Sequence, residues 1–107
     1  MPDGGIGGAG HERGEIWVVD FGSHPERPEQ AFVRRAVVVS DDRLHQPRLP
    51  MAVVVPATTT VRGIPLHVVV TAQPGNGLRE RSAFQVEQVR AVSWSRMVER
   101  LGRLDVE

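Results

Sequence analysis

Gly14 to Phe21 reads GEIWVVDF. Its large residues, Ile16, Trp17, Val18, Val19 and Phe21, are β-branched or aromatic, the types that pack well on a pleated, half-buried surface. The stretch is read as a strand. Working outward, Arg34–Ser40 (RRAVVVS) and Met51–Pro56 (MAVVVP) have the same character. The unbroken apolar run after Arg35 predicts a strand buried on both faces, and Pro56 is read as the end of the third strand.

Between and beyond these strands the punctuation is dense. Residues 22–33, GSHPERPEQAFV, carry a glycine, two prolines and several charges, and are read as a long loop of a length that is often functional. Residues 41–50 are polar and contain proline. Gly63 and Pro65 mark a turn, and Leu66–Thr71 (LHVVVT) is a fourth strand, expected to place Leu66, Val68 and Val70 on one face and His67, Val69 and Thr71 on the other. Gln73–Leu78 (QPGNGL) is a turn. Ser82–Trp94 alternates through Phe84 and Val86 and then through Val89 and Val92, so its phase slips near Glu87, as at a bulge or a break between two short strands. From Ser95 the period changes again. Met97, Val98, Leu101 and Leu104 fall on one helical face, Ser93 or Ser95 can cap its start, and Gly102 would weaken or end it. The fold class expected is mainly β: five or six short strands in a small, strongly curved barrel, with a C-terminal α-helix. Half of residues 1–10 are glycine. Residues 1–12 are therefore expected to be a flexible Gly-rich tail, and 13–107 the single domain. A valine-rich core of this size is marginal, so a homodimer is expected.

Composition removes several classes of chemistry. There is no cysteine, hence no disulfide, thiolate metal site or cysteine nucleophile, which fits a cytoplasmic protein. No apolar run is long enough to span a membrane and the N-terminus does not read as a secretory signal. His11, His24, His45 and His67 share no metal-ligand spacing, and no phosphate-binding loop of the G-x-x-x-x-G-K-S/T type occurs. No metal and no cofactor is expected. Formal net charge is zero, so any attraction for nucleic acid must come from a local patch. All thirteen basic residues are arginine, a side chain that meets phosphate with paired donors. A GC-rich genome would produce the same bias, so the arginine positions matter more than their number.

Five segments, in order, resemble the MazF/PemK family of toxins. Arg13–Phe21 (RGEIWVVDF) is similar to the family's opening. Glu29–Ser40 (EQAFVRRAVVVS) matches its second block without a gap. Val55–Thr59 (VPATT) with Gly63–Val70 (GIPLHVVV) matches the third, Glu87–Arg90 (EQVR) the fourth, and Arg96–Leu104 the ending. The resemblance covers residues 13–104. It implies an SH3-like barrel of the PemK/CcdB type and the toxin half of a type II toxin–antitoxin pair. The implied activity is that of a dimeric, metal-independent, sequence-specific endoribonuclease, an mRNA interferase acting on single-stranded mRNA, tRNA or rRNA. It also implies a cognate MazE-like antitoxin whose disordered segment covers the RNA groove.

Such chemistry uses the substrate's own 2′-hydroxyl as nucleophile and needs a fixed positive charge beside the phosphorus centre. By the resemblance, Arg34 takes the place of the catalytic arginine and Thr58 that of the catalytic threonine. Read from the residues alone, Arg34 is equally a solvated strand-end arginine and Thr58 a turn-forming hydroxyl. Glu29, Gln30, Arg35, Glu87 and Gln88 are the substrate-binding candidates; their plain alternative is ordinary loop and strand polarity. The chain departs from the family twice next to Arg34. Arg35 stands where a proline is usual, which leaves the catalytic register open between Arg34 and Arg35, and Phe32 stands where a glycine is usual. Phe32 either stacks on a base or plugs the core. Two other functions stay open: a CcdB-like gyrase poison, disfavoured because the LGRLDVE tail lacks the tryptophan of that group, and an SH3-like binding module without catalysis.

Overall fold

In the computed structural model, residues 11–24 and 27–104 are described, without the side chains of 23–31. Seven strands form the domain: β1 (Glu15–His24), β2 (Arg27–Val38), β3 (Met51–Thr58), β4 (His67–Val70), β5 (Ser82–Gln85), β6 (Arg90–Ser93) and β7 (Met97–Arg103). They make one antiparallel sheet in the order β4-β5-β3-β2-β1-β7, with β6 also paired to β3. One edge of β3 takes β2. The other is shared, with β6 along Met51–Val54 and β5 along Ala57 and Thr58. Pro56 lies at the changeover, where its missing N–H costs no rung to β5 or β6.

The phase slip near Glu87 is a one-turn 3-10 helix, Val86–Gln88, between β5 and β6. Two clusters of small residues fill the two sides of the sheet. Val19, Ala36, Val38, Ala52, Val54, Val92 and Met97 form the first, with Trp17, Phe21 and Trp94 at its margin. Ile16, Val37, Val55, Ala57, Leu78 and Phe84 form the second. β2 and β3 face both, as the apolar run of β2 predicts.

Three expectations are corrected. The C-terminal helix is absent: Met97–Arg103 is strand β7, antiparallel to β1. Its ladder skips Val98 and Leu101, and these two irregularities throw the side-chain phase twice within seven residues. A strand bulged in this way presents apolar residues at spacings of three and four and so imitates a helical period. Ser93 does act as a cap, but of a single 3-10 turn, Trp94–Arg96. The sheet is not a closed barrel: the ladders leave β4 and β7 at opposite ends. The 22–33 loop is instead the distal part of the β1–β2 hairpin, where Ser23 pairs with Ala31 and His24 with Arg27 past a bulge at positive-φ Gly22 (φ 90°). β7 leaves β1 at Val19 and β3 leaves β2 at Ala36, so this arm has only its own two strands. Pairing of that kind needs no buried face, and so no apolar alternation advertises it.

Packing reaches at least two residues before Arg13. His11 is buried, its ring 4.8 Å from each of Trp17 and Trp94. Residues 1–10 lie outside the described residues. His67 is buried at the start of β4, while Val68 and Val69 are exposed and Val70 joins the second core, so the face expected from alternation is only partly realised. Among the described residues no helix is long and apolar enough to cross a membrane.

Two outcomes follow from this packing. Gly102 lies against the backbone of the 75–77 turn, which a Cβ would strike. Gly102→Ala is expected to cost ~2 kcal/mol, read as a fall of roughly 10 °C in Tm. Burial, opposed by Glu15 and reinforced by His45, holds the His11 pKa below its ordinary 6.5. The unfolded chain therefore takes up this proton first. Stability is complete above that value and declines as pH falls below it. Melting between pH 7.5 and pH 5 is expected to show the decline, and His11→Gln to flatten it. Glu87, held low by its hydrogen bond with His67, acts with the same sign in a lower window, below its ordinary 4.5.

Candidate functional site

The β2–β3 ladder runs Val38↔Val54, Val37↔Val55, Ala36↔Pro56 and stops. Continuing that register by two residues sets Arg34 opposite Thr58. The strands part there instead, and a depression of about 290 Å³ opens, lined by Val33, Arg34, Arg35, Ala57, Thr58, Thr59 and Ser82. Both catalytic candidates and Arg35 therefore border one open space. The site is the place where two paired strands stop pairing.

Arg34 crosses this gap. Its Nε and Nη2 both donate to the Ala57 carbonyl, at 3.1 and 2.7 Å, and Nη2 also donates to Gln85 Oε1. Hydrogen bonds from a charged donor contribute about 1.5–3 kcal/mol each and fix the plane of the guanidinium. Half-burial lowers its pKa, yet a guanidinium stays charged at neutral pH. Its acceptors are a carbonyl and an amide, both neutral. Among the described residues no carboxylate lies within ion-pair distance, and Nη1 has no partner. With respect to the described residues, the side chain thus carries a held, uncompensated charge with two N–H bonds to spare.

Thr58 ends β3. Its Oγ1 accepts from the Thr60 amide at 3.1 Å, which orients the hydroxyl and leaves its hydrogen to donate. Buried Ser82 on β5 donates to the Glu80 carbonyl. Arg35 lines the same depression, and its buried Nε has no partner among the described residues.

Gln85, which sequence reasoning did not single out, is what pins Arg34 from β5. Only the register could have revealed it, because nothing local separates it from other strand glutamines. Across β4–β5 it faces His67, whose Nε2 is 2.9 Å from Glu87 Oε2. Glu87 is thereby turned toward His67 and is not one of the residues lining the depression; Gln88 is exposed beside it. The side chains of Glu29 and Gln30 lie outside the described residues. Phe32 does not plug the core. It is 41% exposed, next to Phe21 and the Arg34 guanidinium. Of the other histidines, His45 bonds Ser40, and His11 is enclosed between tryptophans.

Residues 12–107 match the family described as the PemK-like, MazF-like toxin of type II toxin–antitoxin systems. The chain is 38% identical over 93 residues to the probable endoribonuclease MazF5 of Mycobacterium tuberculosis, covering 86% of this chain and 76% of that protein. It is also 38% identical over 98 residues to endoribonuclease MazF9 of the same organism, covering 86% and 80%. In structure it is similar to M. tuberculosis toxin MazF-mt6, with a TM-score of 0.67 at 23% identity over 86% of this chain and 81% of that one. A mycobacterial endoribonuclease solved with its cognate antitoxin is similar at the same TM-score, with 19% identity over 89% and 80%. The structural likenesses, at these identities, speak for the fold. The sequence matches span nearly all of the packed domain, and the chain belongs to the PemK-like, MazF-like toxin family.

Proposed function

We propose that this chain is the toxin of a type II toxin–antitoxin pair and that it cleaves single-stranded RNA at short sequence motifs without a metal ion. In this reading Arg34 and Thr58 hold the scissile phosphate. The substrate 2′-oxygen attacks phosphorus, the bond to the 5′-oxygen breaks, and the products are a 2′,3′-cyclic phosphate and a 5′-hydroxyl. The proton of the 2′-hydroxyl leaves to a base, and the 5′-oxygen gains one. Arg34 Nη1 donates to a non-bridging oxygen as negative charge builds on it, and the Thr58 hydroxyl donates to the other. Arg35 contacts a neighbouring phosphate. Glu29, Gln30 and Gln88 read base edges, Glu87 does so with the carboxylate oxygen that His67 does not hold, and Glu29 in the β1–β2 arm is the candidate base.

The observation that carries this reading is the state of Arg34. It is fixed by two neutral acceptors, has no counter-charge among the described residues, and shares its depression with Thr58. An arginine with a structural ion pair would have nothing left for an anion. The same observation favours Arg34 over Arg35 as the catalytic arginine. Among similar structures are complexes of MazF-type toxins with antitoxins, one of them MazE–MazF of Deinococcus radiodurans, which supports a MazE-like partner for this chain too.

The test is cleavage of a long single-stranded RNA in excess EDTA, with end-group analysis of the products. Arg34→Ala and Thr58→Ala are each expected to lower the rate by about 10²–10³-fold in protein that circular dichroism shows to be still folded at the assay temperature. Arg34→Lys is expected to fare little better, because an ammonium cannot hold the carbonyl, the amide and a phosphate in one plane. Arg35→Ala is expected to raise KM and leave kcat near wild type. If Arg35→Ala is inactive and Arg34→Ala is not, the assignment of the two arginines reverses. Absence of RNA cleavage together with gyrase inhibition would replace the reading with the gyrase-poison alternative. Light scattering is expected to give twice the 11.8 kDa of one chain, the homodimer.

A further inference from the structure

We propose that Phe32 is a stacking platform for the nucleobase adjoining the phosphate held at Arg34, which makes it a specificity-determining residue. The inference rests on the RNA-cleaving function proposed above and deepens it.

A large aromatic ring left 41% exposed asks for a reason. Phe32 is not loose. Its ring centroid lies 6.0 Å from that of Phe21, tilted by 54°, and Phe21 in turn packs against the first core. The ring is therefore braced from the protein side, and a braced aromatic loses little freedom when a base is laid on it. The Arg34 guanidinium carbon stands 5.5 Å from the Phe32 centroid. The two are in contact, so a phosphate on Arg34 would bring the base of its own nucleotide, or the next, to the exposed part of the Phe32 ring.

A second cation–aromatic pair sits alongside: the Arg90 guanidinium carbon is 5.2 Å from the Phe21 centroid. Arg90 is exposed and, among the described residues, has no ion-pair partner. Alternating aromatic rings and unpaired arginines complement a single strand, which offers base faces and phosphates in turn. An apolar protein partner would want neither arginine, since each would lose water without gaining a counter-charge. That favours the nucleobase as occupant over a second copy of the chain.

The experiment uses the full chain and an RNA oligonucleotide centred on a site first mapped with wild-type protein. Phe32→Ala is expected to raise KM by about tenfold or more with little change in kcat, since stacking binds without touching the reacting atoms. Phe32→Trp is expected to restore KM. Phe32→Leu, which keeps bulk without an aromatic face, is expected to behave like Phe32→Ala. Replacing one base next to the cleaved bond by an abasic residue should penalise wild type and cost Phe32→Ala nothing more. A wild-type KM in Phe32→Ala or in Phe32→Leu overturns the inference, as do abasic penalties that add in full to that of Phe32→Ala at every flanking position. In both cases wild-type cleavage leaves the proposed function standing. If wild type cuts no RNA, the function and this inference fall together.

Discussion

Strand β3 has two edges and three partners. One edge is committed to β2, so β5 and β6 must divide the other, and they can do so only by diverging on either side of Pro56. That division bends the sheet at the 3-10 turn between them and separates the buried residues into two clusters. It also decides where the useful opening lies. Past Pro56, β3 turns to follow β5, parts from β2, and leaves a gap that Arg34 bridges with its side chain where a backbone rung would otherwise stand.

A charge held in that way differs from that of the ion-paired arginines. Arg43, Arg100 and Arg103 each face a carboxylate and are spent on it. Arg34 is oriented by a carbonyl and an amide, which fix its geometry and supply no counter-charge. Neutral net charge and local appetite for an anion are therefore compatible: thirteen acids balance thirteen arginines over the whole molecule, but the pairing is uneven, and two arginines without an ion pair among the described residues, Arg34 and Arg35, line the depression where the strands part.

What could be read from residues alone was whatever burial imposes on a pattern. The β-branched runs of β1, β2 and β3 and the break between β5 and β6 were legible because each has a face that must leave water. The distal β1–β2 arm was not, since two strands pairing only with each other impose no such alternation. β7 was misread for the opposite reason: its pattern was real, but two irregular pairings with β1 gave it the wrong period. At the site, Arg34 and Thr58 came from the family resemblance rather than from chemistry, and the strand register brings them to one depression. Gln85 stayed hidden because its role exists only across strands. Phe32 had two readings, and its exposure removes the one in which it plugs the core.

The largest fully buried side chains are Ile16, Val19, Val38 and Val54. Among the buried residues described, Phe84 in the second cluster is the one phenyl ring, and apart from it shortening one of these aliphatic residues removes only a few carbons. Damage to this interior comes in small denominations. A toxin lineage can drift through many such losses, each absorbed alone, before folding fails abruptly when they have accumulated beyond the slim margin that a domain of this size possesses.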